Sequence, residues 1–338
     1  MAKQKATLRT IAEASGFAVT TVSRALKDAP ELSQATKARI RTIALAQGYA
    51  PDRAALRLRT GQTYILAFIL SQEDEINRIA RNMIIGLSQG LRGTPYQLIV
   101  VPQFPDEDPL QAVRYVVETG AADGLIISHT MPQDERVRYL LERDIPFVTH
   151  GRTELQTPHA YYDYDNFRFA LEATRLLLRR GRQRIILVPP ITRFTYAGLQ
   201  IDGYRRAMIE AGLEPNVATA LSIESSPMEL KRFASSMARE AAPPDAYVCG
   251  SEEACIALIG GIEASGMRLG CQVDLVGKQT SDLVDVLSAV FDTASEDFSH
   301  TGRILAELLL RRLAGESAGD LQRLETPIWT LRTPASER

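Results

Sequence analysis

Over the first fifty residues the apolar positions recur at the spacing of short helices. Beyond residue 61 they gather into runs of strand length, so the chain changes character once. Leu8, Ile11, Ala12 and Ser15 share one helical face, with Thr7 placed to cap the helix and Gly16 able to end it in the left-handed conformation. In the segment that follows, Val22, Ala25 and Leu26 cluster on one side while Thr20, Thr21, Ser23 and Arg24 project from the other. A helix this short cannot persist alone in water and must dock. A third helix is predicted from a Ser33 cap through Ile40, Ile43, Ala44 and Gln47, stopped by Gly48-Tyr49-Ala50-Pro51. Residues 1–50 thus read as a small all-α domain. Residues 51–61 read as a hinge and linker, because Asp52 to Arg59 has helical composition but only two large apolar residues. Such a segment forms a helix only when something orders it.

After Thr60-Gly61-Gln62 the apolar runs Tyr64 to Leu70, Tyr96 to Val101, Gly124 to Ser128 and Phe147 to His150 alternate with amphipathic stretches such as Ile76, Ile79, Ala80, Met83, Ile84 and Leu87. The rhythm restarts beyond Asp165-Asn166, with strands expected at Arg184 to Val188, Val217 to Leu221, Ala246 to Cys249 and Val273 to Gly277. The expected fold class is α/β: an all-α head joined to a core, residues 62–338, of two doubly wound parallel-sheet subdomains. Two such units leave a cleft at the carboxyl ends of their strands, where small ligands bind in open α/β sheets.

Charge sharpens the division. The first 60 residues hold 11 lysines and arginines against 4 acids, leaving 28 bases and 37 acids for the remainder of a chain whose net charge is −2. A basic head is drawn to polyphosphate, and an acidic body is kept off it. The polar side of the second helix carries no acid and offers donors suited to phosphates and base edges. The bland alternative, a solvated face on a helical hairpin, does not account for the charge segregation. Cys249, Cys255 and Cys271 have no paired spacing for zinc or redox work, so no metal and no cofactor are expected. Phosphate loops, nucleophile elbows and paired-histidine zinc motifs are likewise absent from the sequence. With no apolar run after Met1-Ala2-Lys3-Gln4-Lys5 and no 18-residue apolar stretch, the expectation is a cytoplasmic protein, neither exported nor membrane-bound.

Taken together, Thr7-Leu8, Ile11-Ala12, Gly16, Thr21-Val22-Ser23-Arg24, Ser33, Thr36, Arg39-Ile40, Gly48-Tyr49, Pro51 and Ala55 with Leu58 resemble the LacI/GalR family of bacterial transcription regulators. The resemblance spans essentially the whole chain. It implies a periplasmic-binding-protein-like core with a first subdomain at 62–162 and 292–324 and a second at 163–291 and 325–338, the last strand near Thr326 to Leu331. It also implies a homodimer on a palindromic double-stranded operator, acting as a repressor associated with the nucleoid. The positions it assigns to DNA are Thr7, Ala18, Val19, Thr20, Thr21, Ser23, Arg24, Ser33, Thr36, Arg53, Arg57 and Leu58. Leu58 matches a hinge leucine wedged into the central base step, which costs a few kcal/mol of stacking recovered through bending and added contacts. A linker residue packed on the core is the alternative. Val19 can contact only apolar groups such as a thymine methyl.

In the ligand cleft the chain departs from the pattern. The family's Arg-x-x-Gly-aromatic stretch is Gln200-Ile201-Asp202-Gly203-Tyr204, its Asn-Asp pair is Ser251-Glu252, and its Gly-x-Asp is Gly277-Lys278-Gln279. Arg193 is a possible replacement for the lost guanidinium, and Lys278 or Gln279 for the lost carboxylate. Arg152 matches a ligand-proximal arginine, flanked by His150 and His159, and Ser71, Gln72 and Asp74 follow the first core strand. At each of these a solvated loop residue or a structural ion pair is the alternative. The effector implied is polar and uncharged, a mono- or disaccharide, and the Gly-Lys-Gln variant resembles that of regulators of α-glucoside uptake. Two other readings remain open: a sugar-metabolising enzyme with a DNA-binding head, suggested by Asp74, Asp163 and Glu252, and a regulator controlled by a protein partner.

Overall fold

The computed structural model describes residues 6–49, 57, 61–71, 78–104, 106–286 and 291–332. The chain divides into two compact units, Met1–Thr63 and Tyr64–Arg338.

The first unit holds three helices, α1 (Leu8–Ser15), α2 (Val19–Leu26) and α3 (Gln34–Ala46). Ile11, Val22, Ala25, Ile40 and Ala44 make its core, with Leu8, Phe17 and Leu26 packed around them. Local chemistry delimits each helix. Thr7 and Thr10 form a reciprocal capping box on α1, Gly16 ends it at φ +76°, and Ser33 Oγ accepts from the Thr36 amide at 3.2 Å to open α3. Lys37 contributes to the core and not to the surface charge. Its side chain is buried, and its ammonium donates to the Asp28 carbonyl at 3.2 Å and pairs with the Asp28 carboxylate at 3.2 Å.

The second unit is built on two six-stranded sheets, β11-β5-β4-β3-β1-β2 and β12-β10-β9-β8-β6-β7. In the first sheet β1 (Ile65–Ser71), β2 (Gln97–Gln103), β3 (Gly124–Ile127), β4 (Phe147–His150), β5 (Tyr161–Tyr164) and β11 (Gln322–Glu325) pair in parallel throughout. The second sheet holds β6 (Ile185–Val188), β7 (Asn216–Val217), β8 (Ala246–Cys249), β9 (Asp274–Gln279) and β10 (Asp292–Ser295), closed by the antiparallel β12 (Ile328–Thr330). The central strands read as continuous apolar runs because helices cover both faces. In the first subdomain these are α4 (Arg78–Gly90), α5 (Gln111–Glu118), α6 (Glu135–Glu142) and α11 (Phe298–Leu313); in the second, α7 (Asn166–Arg179), α8 (Thr195–Glu210), α9 (Pro227–Met237) and α10 (Glu252–Ala264).

The chain passes between sheets after Tyr164, Ser295 and Glu325, slightly later than the switches expected at 163, 292 and 325. The reason is chemical. β5 and β10 are four-residue strands carrying the buried acids Asp163 and Asp292, so neither reads as an apolar run. Asp292 is tolerated because Arg180 pairs with it and the Arg332 amide donates to it at 2.7 Å. The predicted strand Val217 to Leu221 is reduced to Asn216–Val217 at the sheet edge.

Candidate functional site

In the head, α2 turns Val22 and Ala25 inward and leaves Val19, Thr20 and Arg24 exposed, with Thr21 and Ser23 half-buried. Ala18 occupies the N-cap position and provides no side-chain cap, so the first turn of α2 keeps amides open to a ligand oxygen. Thr7 is exposed but engaged in the α1 capping box, and Ser33 and Thr36 share a 2.9 Å hydroxyl contact at the start of α3. Arg24 is held by Glu31 in an ion pair. Each of the three acids among the described residues of the head is similarly engaged, Glu13 by Arg9 and Asp28 by Lys37 and Arg41. Arg57 is exposed, while Arg53 and Leu58 lie outside the described residues.

In the second unit a cavity with about 910 Å³ of empty space, its mouth included, opens between the two sheets at the carboxyl ends of their strands. Phe68, Ile79, Ala80, Met83 and Phe298 give it an apolar wall from the first subdomain. Its polar lining draws on both subdomains: His129, His150 and Asp163 from the first, and Asn166, Gln200, Ser251 and Lys278 from the second, with Glu296 where the chain crosses between them.

Of the eight residues expected there, three line the cavity: Gln200, Ser251 and Lys278. Ser251 also accepts from the Ala254 amide at 3.2 Å as the cap of α10. Gln279 turns to the other side of β9, where its amide donates to Ser281 and Asp285 and accepts from Thr293 and Arg332 at 2.9 to 3.0 Å. Arg152 Nε approaches Asp163 Oδ2 at 3.2 Å, an ion pair at the back of the site. Arg193 is exposed with its guanidinium 4.8 Å from the Phe194 ring centre, and Ser71 is buried at the end of β1. Asp74 lies outside the described residues. Glu252, one of the acids behind the enzyme reading, is buried and accepts from the Thr280 and Ser281 amides at 2.7 and 2.8 Å and from the Ser281 hydroxyl at 2.5 Å. That carboxylate organises a loop.

Electrostatics single out the floor of the cavity. Burial would raise Glu296, but the Lys278 ammonium at 2.6 Å and the nearby His150 outweigh it and hold the carboxyl at about 2. Asp163 goes the other way: burial dominates the pull of Arg152 and pushes it up to about 6. His159, by contrast, is buried outside the lining, stacked on Phe147 with Nε2 3.1 Å from the Thr149 hydroxyl, and burial lowers it to about 4. It is a structural histidine.

Sequence reasoning did not single out the aromatic rim. His129, at φ +53°, sets its ring edgewise 5.1 Å from Phe194 and 6.1 Å from Tyr196, across the gap between subdomains. Beside it the Thr130 carbonyl accepts from the Thr195 amide at 2.9 Å and the Thr195 hydroxyl at 3.1 Å. No local pattern signals such a clasp, because its halves lie more than sixty residues apart.

Comparison with known proteins places this architecture. The profile of bacterial regulatory proteins of the lacI family matches residues 7–52, and that of periplasmic binding proteins and the sugar binding domain of the LacI family matches residues 66–298. The chain belongs to the LacI family. It is a DNA-binding transcriptional regulator with the family's sugar-binding domain. Among its LacI-type relatives, the HTH-type transcriptional regulator AglR of Rhizobium meliloti is 30% identical over 277 residues, covering 80% of this chain and 76% of the relative. RafR of Escherichia coli is 28% identical over 339 residues, 95% and 96% of the two chains. The Lac repressor dimer bound to operator and the anti-inducer ONPF has the same fold, with a TM-score of 0.84 at 18% identity over 98% of this chain and 99% of the other. So does the regulator CelR in complex with cellobiose, with a TM-score of 0.67 at 21% identity over 97% and 99%. Among the described residues no helix is long and apolar enough to cross a membrane, and no cluster of metal-ligating side chains occurs.

Proposed function

We propose that this LacI-family regulator is a homodimeric repressor that grips a palindromic operator through α2 and the hinge and is controlled by a neutral mono- or disaccharide bound in the core. The observation carrying the ligand class is the charge balance of the cavity. Its one described lysine, Lys278, is committed to Glu296, and Asp163 and Glu224 line the walls, so among the described lining residues no lysine or arginine is left to hold a carboxylate or phosphate. The CelR–cellobiose complex supports a saccharide of this kind. Dimer formation is supported by the exposed apolar side chains Ile85 on α4, Val100 on β2, Phe104 just after it and Tyr115 on α5, and by the dimeric Lac repressor match. In the head, Val19 to Arg24 suit the major groove, and the hinge leucine Leu58 is assigned to the minor groove.

The test is footprinting on genomic fragments with purified full-length protein, with and without maltose, trehalose, sucrose and glucose. A palindromic footprint that one of these sugars relieves or tightens is the expected result. Binding confined to one half-site, or indifference to every neutral sugar alongside a response to another ligand, overturns the proposal.

A further inference from the structure

The floor of the cavity contains a chain of hydrogen bonds whose direction is set at one end. Lys278 Nζ donates to Glu296 Oε2 at 2.6 Å and to Asn166 Oδ1 at 2.9 Å, and sits 4.2 Å from the Tyr164 ring centre. An ammonium has donors only, so the Asn166 atom facing it must be the amide oxygen. The other half of that amide agrees, because Asn166 Nδ2 donates to the Tyr164 carbonyl at 3.0 Å. The Asn166 oxygen also contacts the Gln200 side chain at 2.9 Å, and an oxygen can meet only a donor there, so Gln200 presents its nitrogen. The Gln200 oxygen is thereby turned away from Asn166. It is buried without a hydrogen-bond partner, in a side chain only 1% exposed.

Its neighbour Gly250 packs closely against the amide without supplying a donor to it. A Cβ built at Gly250, another cavity-lining residue, would come within 2.7 Å of Gln200 Oε1. Asp163, 3% exposed and also lining the cavity, has its Oδ2 in the ion pair with Arg152 Nε at 3.2 Å, so it already has a partner. Among the described lining residues the Gln200 oxygen is therefore the buried acceptor with no donor assigned to it. Leaving a buried acceptor unmet in a complex is costly, so the bound molecule must supply the missing hydrogen.

We infer that Lys278 is a positioning residue: through Asn166 it fixes the Gln200 amide and leaves its oxygen as the unmet acceptor of the lining, so that the cavity selects molecules offering a hydrogen-bond donor, hydroxyl or ammonium, to Gln200. This deepens the reading of the cavity as a neutral-saccharide site and rests on it. Lys278 acts without touching the ligand through its charge, which Glu296 consumes.

Titration calorimetry on the full-length chain tests this with a defined panel: maltose, trehalose, sucrose, glucose, glucosamine, myo-inositol, putrescine, gluconate and glucose 6-phosphate. The tightest binder should be a neutral or amine-bearing member, and its deoxy or O-methyl analogues lacking the donated hydrogen should bind about ten- to a hundredfold more weakly. In a Lys278→Met/Glu296→Gln double variant, which removes both buried charges together, the ratio between sugar and analogue should collapse toward one, whereas Lys278→Arg should keep it. Gln200→Arg, which puts donors in place of the acceptor, should lose the wild-type ligand by at least about tenfold and gain gluconate or glucose 6-phosphate. A double variant that melts like the wild type and retains the wild-type ratio overturns the inference and leaves the saccharide reading standing. So does a wild-type preference for gluconate or glucose 6-phosphate overturn it, which ends the neutral-saccharide reading as well. A preference for putrescine that Gln200→Arg abolishes supports the donor rule and ends the saccharide reading.

Discussion

Arg24 and Asp163 show how a single side chain is poised between structure and ligand. Arg24 is paired with Glu31 on an exposed surface, where water and salt screen the ion pair, so DNA phosphates can take the guanidinium over at little cost. Arg24→Ala should weaken binding to a random-sequence duplex by roughly the same factor as to operator fragments. It should also flatten the logarithmic salt slope by about one, measured by fluorescence anisotropy across salt concentrations. Loss on the operator alone would instead make Arg24 a base reader. Asp163 is unfavourable to the fold when charged. Its carboxyl titrates near about 6 in the folded chain against a reference of 3.8, so the folded state holds the extra proton, and the stability this confers is complete below about 4 and lost as pH rises through 6. Asp163→Asn should therefore melt above the wild type at pH 7.5, with the gap closing toward pH 4. A gap that does not depend on pH would assign the effect to packing. The same variant should bind the effector more weakly, the usual tension between a ligand site and the fold that carries it.

At the scale of elements, the first subdomain is held by the crossing of α4 and α11, made close by Gly86 and Gly302. A Cβ at Gly302 would lie 2.4 Å from the Met83 carbonyl oxygen and 2.7 Å from the Leu87 amide nitrogen. Both are backbone atoms and cannot rotate aside, so Gly302→Ala must push the helices apart, at about 1 to 3 kcal/mol. Differential scanning calorimetry should show a melting temperature several degrees lower, while DNA binding by the folded protein persists. An unchanged melting temperature would mean the crossing relaxes freely. α7 and α8 meet in the same way, with a Cβ at Gly203 falling 2.2 Å from the Phe167 carbonyl oxygen. Gly203 and Tyr204 are thus explained by packing, the latter through its hydroxyl, which donates to the Ile185 carbonyl at 2.7 Å and accepts from the Asn216 amide at 2.9 Å. Only Gln200 of that stretch is left to the ligand.

For the molecule as a whole, the regulatory reading requires two heads acting on one DNA site under the control of the core. The hinge wedge assigned to Leu58 belongs to this scale, since it acts only in a dimer on a palindrome. Leu58→Ala should lower affinity for the palindromic operator by about tenfold or more, the cost of a lost wedge of a few kcal/mol, and leave random-sequence binding within about twofold. Equal losses on both would assign Leu58 to packing. A bound effector should also raise the melting temperature of the core by mass action, in proportion to the logarithm of its concentration.

The sequence by itself determined the division into a basic helical head and an acidic α/β core, the boundaries of α1 to α3, and the central strands, because capping hydroxyls, glycines and long apolar runs act over a few residues. It did not disclose β5, β10 and β11, whose polar residues are stabilised by partners or solvent supplied from elsewhere in the chain. The site was legible only as a list. That Gln200, Ser251 and Lys278 share a cavity while Gln279 turns away to Arg332, and that Lys278 sets the direction of the Gln200 amide from 78 residues further along the chain, follows from strand register and side-chain contacts. Hydrogen-bond direction in a buried network depends on every member at once, and only the tertiary structure brings the members together.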